Sequence, residues 1–333
     1  MKFERYSRQI LVDGFGVAGQ EKLAQSRILV VGAGGLGAAC LPYLAGAGIG
    51  HICVLDADKV ELSNLHRQVL YDEADIGQYK AKVVATKLSA LNSQIVCDYK
   101  IQKLAAHNAN KLAMEFDLIV DCTDNYNAKY AINDACEAAN IAMVSASIEG
   151  MSGYFGIFGG DKYANYRALF NEPSLNALNC AESGVLGTVA GMFGLMQAHE
   201  VIKILSGVGE VNDKIIMLDL FDFSMQKIAL PQNYVSNFRP FAMLGLADIG
   251  SQQLLDAREA DEFSAGHFNH AINLPAAKLA TSSDIVAVAA QFGLRKNTEY
   301  ALYCASGARA QSAAIRLQRA GFANLSLLNE GFE

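Results

Sequence analysis

The apolar run Ile28-Leu29-Val30-Val31 passes directly into Gly32-Ala33-Gly34-Gly35-Leu36-Gly37. Side chains at the first, third and sixth of those positions would block a tight turn, hold the backbone away from phosphate and push the following helix off the strand. The pattern therefore predicts strand, turn and helix within a parallel α/β sheet, with an anion-binding helix N-terminus at the turn. Asp56 ends the next branched run, Ile52-Cys53-Val54-Leu55, nineteen residues beyond Gly37, where an acid binds ribose hydroxyls. Alone, this pair suits any dinucleotide or ATP site.

Further runs at Ile95 to Cys97, Leu118 to Val120 and Met143-Val144 alternate with helical stretches at Leu36 to Ala47, Lys80 to Leu91 and Ala128 to Ala138. That order predicts a Rossmann-like, doubly wound and mostly parallel sheet. Beyond Gly150 come Tyr154 to Phe158, a weakly polar stretch from Gly184 to Met196 read as a buried helix, and strands at Ile215 to Leu220 and Gln226 to Leu230. These late strands are expected to extend the sheet antiparallel. The segment Pro231 to Pro240 lacks helical periodicity and reads as a linker. A shorter α/β alternation follows, with strands at Leu254 to Asp256, Tyr300 to Tyr303 and Asn324 to Leu328 and a helix at Ala308 to Ala320. The expected domains are residues 1–232 and 247–333, joined by 233–246.

Hydrophobic residues make up 52% of the 333 positions and charged residues 18%, which supplies a large core. Net charge is −7 with no basic cluster, which argues against nucleic acid or an anionic membrane as partner. Gly184 to Met196 is shorter than the roughly 20 residues that span a bilayer. Residues 1–26 lack a signal-peptide core, and the seven scattered cysteines form neither a disulfide framework nor a CxxC pair, so the expected setting is a reducing cytoplasm.

Past Asp56 lie Ser63-Asn64-Leu65-His66-Arg67-Gln68, then Lys80, then Asp121-Cys122-Thr123-Asp124-Asn125 at the end of the fourth strand. At the carboxyl ends of parallel strands these provide two cations for a triphosphate, Arg67 and Lys80, and a carboxylate for Mg²⁺, Asp124. Hydride transfer needs neither. Adenylation of a carboxylate needs both, because two anionic reactants must be screened before in-line attack.

Together with Arg5-Tyr6-Ser7-Arg8-Gln9 and Cys180-Ala181-Glu182-Ser183-Gly184-Val185, these motifs resemble the MoeB/ThiF family, relatives of ubiquitin-activating enzyme, over about Phe3 to Leu230. The resemblance implies a homodimeric adenylyltransferase that uses ATP and Mg²⁺ on the terminal Gly-Gly of a ubiquitin-like sulfur carrier protein. It implies phosphate or nucleotide contacts for Gly32, Gly34, Gly35, Gly37, Ser63, Asn64, Arg67, Lys80 and Asn125, ribose for Asp56 and metal for Asp124. Arg8 would reach the partner subunit's ATP, and Cys180 is a candidate for a covalent link to the activated carrier. The family's structural zinc needs two CxxC pairs. Asn165-Tyr166-Arg167-Ala168 has the first pair's spacing without thiols, so no zinc is expected.

In the C-terminal part, Tyr303-Cys304-Ala305-Ser306-Gly307-Ala308-Arg309 ends a strand and opens a helix. Backbone N–H groups there converge on the sulfur, and such a cradle lowers a thiol pKa and stabilises a persulfide. With Leu254 to Glu259 and Gly266 to Pro275, the loop is similar to a rhodanese domain. The similarity implies that Cys304 carries transferable sulfur within a loop of Cys304, Ser306, Gly307 and Arg309, while Asp256 and Arg258 support the fold. A donor such as a cysteine desulfurase would load it.

The expected activity is adenylation of the carrier followed by sulfur transfer to give a thiocarboxylate, in molybdopterin or thiamine biosynthesis. The alternatives are an NAD-dependent oxidoreductase fused to a redox or binding module, and ATP-dependent activation of a different carboxylate.

Overall fold

The computed structural model describes residues 3–170, 184–231, 234, 241–305, 307–328 and 330–332. They gather into two compact units, the second built on Phe238–Glu333.

The first unit opens with α1 (Ser7–Ile10) and α2 (Gly16–Gln25), followed by β1 (Arg27–Val31), α3 (Gly35–Ala47), β2 (His51–Leu55), α4 (Lys80–Leu91) and β3 (Val96–Lys100). Next come α5 (Ala106–Ala113), β4 (Leu118–Asp121), α6 (Tyr126–Ala139), β5 (Ala142–Glu149), β6 (Ser152–Phe158), α7 (Gly187–Ser206), β7 (Ile215–Asp219) and β8 (Ser224–Ile228). The strands form one sheet in the order β3-β2-β1-β4-β5-β6-β7-β8. The first five pair in parallel, and β6, β7 and β8 continue antiparallel.

Continuous apolar runs form β1 and β4 because helices cover both faces of a parallel sheet. Ile28, Leu29 and Val30 are fully buried, as are Leu118, Ile119 and Val120. The edge strand departs from the run Ile95 to Cys97: β3 reaches Lys100 through Asp98 and Tyr99, its register set by pairing with His51–Leu55 and not by its own hydropathy. The helix expected from Gly184 starts at Gly187 and is not buried all round, since Met192 and Leu195 lie on an open face at 38% and 39% exposure. Among the described residues no helix is long and apolar enough to cross a membrane.

The second unit contains β9 (Ala242–Leu244), β10 (Gln253–Asp256), α8 (Ala260–Ala265), β11 (Ile272–Asn273), α9 (Ala276–Ala280), α10 (Ile285–Gln291), β12 (Tyr300–Tyr303), α11 (Ala308–Arg319) and β13 (Leu325–Leu328). Its sheet is parallel, in the order β11-β10-β12-β13-β9. One boundary is corrected here: β9 lies inside the stretch read as linker, and it is a strand because it pairs with β13. As the sequence suggested, Asp256 and Arg258 support the fold. They form a buried pair, Arg258 Nη2 donating to Asp256 Oδ2 at 2.7 Å and to Gly266 O at 2.6 Å.

Candidate functional site

The strand order turns at β1 and β4, the switch point where open α/β sheets bind ligands beyond their carboxyl ends. The glycine turn follows β1 and the loop 122–125 follows β4, so both border one crevice. Gly32 adopts φ +95°, and a side chain there would start 2.7 Å from Cys122 O. On Gly37 a methyl would lie 2.3 Å from Gly32 O. Only glycine fits either place.

Asp56 is fastened to this turn. Its Oδ2 accepts from Ala33 N at 2.8 Å, and its Oδ1 accepts from Asp58 N at 2.7 Å. Burial raises its carboxyl above the usual range, partly offset by the Ala33 N–H. Lys80 opens α4 and is buried, its Nζ 3.4 Å from Asp58 Oδ2. Glycine turn, acid and ammonium thus form one chain of contacts. Tyr71 closes it from the other side by donating to Ala33 O at 2.7 Å. Burial pushes that phenol well above its ordinary range, so it remains a donor.

The segment 63–68 lies against the start of α3. Arg67 Cγ is 3.8 Å from where a Gly35 side chain would begin, and Gln68 Nε2 is 3.6 Å from the same point on Gly34. Arg67 Nη1 donates back to Ser63 O at 3.0 Å. Asn64 is buried, its Oδ1 accepting from Glu61 N at 3.3 Å and its Nδ2 donating to Ser63 Oγ at 3.4 Å. Gln68 is also buried, and its Oε1 has no hydrogen-bond partner. Such an orphan costs about 1–3 kcal/mol until a ligand or water satisfies it.

Asp124 is exposed beside the turn, whereas Asn125 caps α6 by accepting from Ala128 N at 3.1 Å. Arg8 is exposed on α1, at the far end of α3: its neighbour Gln9 donates to Ala47 O at 3.0 Å. It is not brought to this chain's own glycine turn. Cys180 and Ser306 lie outside the described residues.

A buried network behind the crevice escaped the sequence reading. Lys129 Nζ pairs with Asp121 Oδ2 at 2.7 Å and donates to Ala146 O at 2.9 Å, while Ser145 Oγ donates to the same carboxylate at 2.6 Å. Gln197 Nε2 adds a bond to Asp121 O at 2.7 Å. The available signal was Lys129 itself, a cation inside an apolar helical stretch.

At 165–168, where the family's first metal-binding pair would stand, a buried plug is present. The Tyr166 ring packs on Tyr130 and Phe158 with centroids 5.3 and 5.1 Å away, and its hydroxyl meets that of Tyr154 at 2.8 Å. Arg167 is buried, pairs with Asp134 and lies over the Tyr130 ring. These side chains offer no zinc ligand set.

In the second unit, Cys304 follows β12 and is buried; its Sγ accepts from Gly307 N at 3.0 Å, just before α11. Gly331 presses on the loop so closely that a methyl there would start 1.9 Å from Ala305 O. Arg309 is paired with Glu262 of α8 through both nitrogens, Nη2 to Oε1 at 2.8 Å.

This geometry can be set beside known proteins. The ThiF family model matches residues 6–237, well over half of the chain. The chain belongs to the ThiF family. A rhodanese-like domain model matches residues 243–333. Adenylyltransferase and sulfurtransferase MOCS3 of Arabidopsis thaliana is 39% identical over 229 residues, 68% of this chain and 49% of that protein. The protein of the same name from Danio rerio is 45% identical over 206 residues, 61% of this chain and 45% of the other. The chain therefore spans about half the length of the curated relatives it matches. Among solved ThiF-like folds, the crystal structure of E. coli MccB with ATP superposes with a TM-score of 0.63 at 25% identity, covering 70% of this chain and 74% of that one.

Proposed function

We propose that this ThiF-family protein adenylates the C-terminal glycine of a ubiquitin-like sulfur carrier with ATP and then supplies sulfur from Cys304, most consistent with molybdopterin biosynthesis. The observation that carries the reading is the buried Lys80 ammonium, linked through Asp58 to Asp56 and the glycine turn at the switch point. In this reading Asp56 takes the ribose. The turn, Asn64, Arg67 and Lys80 take the phosphates, and Asp124 helps hold Mg²⁺, which would screen the polyphosphate. The carrier carboxylate attacks the α-phosphorus and pyrophosphate leaves. Hydride transfer would use the turn and Asp56 but give Lys80 no work.

A persulfide on Cys304 then attacks the acyl-adenylate carbon and AMP leaves. A second thiol, for which Cys180 is the candidate, attacks the Cys304 sulfur of the acyl disulfide and releases the thiocarboxylate; a reductant resets the resulting disulfide. Arg8, far from its own turn, suits a homodimer in which it serves the partner's nucleotide. Residues 1–232 and, with β9 included, 242–333 are the two working domains, in a cytoplasmic setting that keeps the thiols reduced. The plug around Tyr166 does the work of the zinc.

The test is pyrophosphate release on mixing the protein with ATP and a β-grasp carrier ending in Gly-Gly, with mass spectrometry of the carrier and of Cys304. On the carrier, an AMP adduct and then exchange of one carboxylate oxygen for sulfur are expected, and on Cys304 a gain of one sulfur. No release with any such carrier, or absorbance change at the nicotinamide band instead, would sink the proposal.

A further inference from the structure

The Cys304 loop carries one cation, Arg309, and that cation is taken. Both terminal nitrogens of its guanidinium meet the Glu262 carboxylate, the arrangement in which arginine binds anions most firmly. Glu262 stands in the first turn of α8 with Asp261 and follows Glu259, and the latter two are exposed, so the arginine faces an acidic edge. Arg309 nevertheless lies within electrostatic reach of the sulfur. Its guanidinium is held above the usual range chiefly by Glu262, with a smaller contribution from Cys304. The Glu262 carboxyl is lowered to about 2, first by Arg309, so the pair is intact at neutral pH.

We propose that Glu262 is a positioning residue that sets donor specificity: by occupying the Arg309 guanidinium it makes the loop a poor acceptor of sulfur from thiosulfate-like dianions and favours persulfide donors. The inference rests on the reading of Cys304 as the sulfur-carrying thiol. With thiosulfate, the Cys304 thiolate attacks the outer sulfur, an S–S bond forms, the bond to the sulfonate sulfur breaks and sulfite leaves with the electron pair. With a persulfide, the thiolate attacks the terminal sulfur and the donor's thiolate leaves. Only the first route delivers two negative charges beside the carboxylates of α8, and only it gains from a free guanidinium.

The test uses the full chain. Sulfur loading of Cys304 is followed by mass spectrometry with thiosulfate and with cysteine persulfide, whose single carboxylate is offset by its ammonium, and kcat/KM is compared as a ratio of the two donors. Glu262→Gln should raise the thiosulfate-to-persulfide ratio about tenfold, mainly through a lower KM for thiosulfate, and adding Arg309→Ala should cancel the gain. Should Glu262→Gln fail to fold, Glu262→Asp, one methylene too short for the two-pronged contact, should move the ratio the same way by less. An unchanged or lower ratio in a folded, loadable variant overturns the role of Glu262. Failure of wild type and variants alike to take sulfur from either donor overturns the reading of Cys304 as well.

Discussion

The two units solve one electrostatic problem in opposite ways. Each has a strand, a turn and a helix N-terminus, where unpaired N–H groups favour negative charge. At α3 the turn is emptied of side chains by Gly32 and Gly37, and no carboxylate grips the nearby cations closely: Lys80 has one 3.4 Å contact to Asp58, and Arg67 meets the Ser63 carbonyl and the His66 ring. At α11 the anion would be the chain's own sulfur, already resting 3.0 Å from Gly307 N, and the nearby cation is locked to a carboxylate. On the proposed function, the site that would admit a polyanion keeps its positive charge available. A site that holds one covalently can have that charge neutralised.

Three experiments bear on this contrast. The largest effect is expected from Lys80→Ala, which should lower ATP–pyrophosphate exchange by about 100-fold or more, as for removal of a transition-state donor; wild-type exchange in that variant would end the parallel. Next come paired methyl insertions. Gly37→Ala and Gly331→Ala each drive a carbon into a backbone carbonyl and should destabilise by about 1–3 kcal/mol in denaturant melts. Only Gly37→Ala should also weaken nucleotide binding, and only Gly331→Ala should alter the alkylation rate of Cys304. Equal losses of both readouts in both variants would erase the distinction. The smallest effect concerns acid. Because folding lowers Glu262 to about 2 from an ordinary 4.5, its stabilisation is complete above pH 4.5 and fades as pH falls through 2. The melting-temperature gap between wild type and Glu262→Gln should narrow over that interval.

What the sequence disclosed followed from how local each constraint is. Gly32, Gly34, Gly37 and Asp56 were legible because a turn and the strand after it obey short-range stereochemistry. The span of α4 emerged as read, Lys80 to Leu91. By contrast, β9 owes its existence to a partner some eighty residues downstream, so three residues of weak pattern passed for linker. Glu262 and Arg309 are 47 positions apart, and nothing in either neighbourhood announces the other. Asp121, Lys129, Ser145 and Gln197 likewise come from four elements that meet only once the sheet has closed. Asn125 was read as a nucleotide contact, but its side-chain oxygen already serves the start of α6.

The bond from Tyr71 to Ala33 has a thermodynamic consequence. It ties the glycine turn to the same short stretch that bears Asn64, Arg67 and Gln68, so a nucleotide bound as proposed would meet a receptor whose parts are already in register. Little freedom would then be surrendered on association, and affinity would be drawn from contacts made and not spent on assembling the receptor.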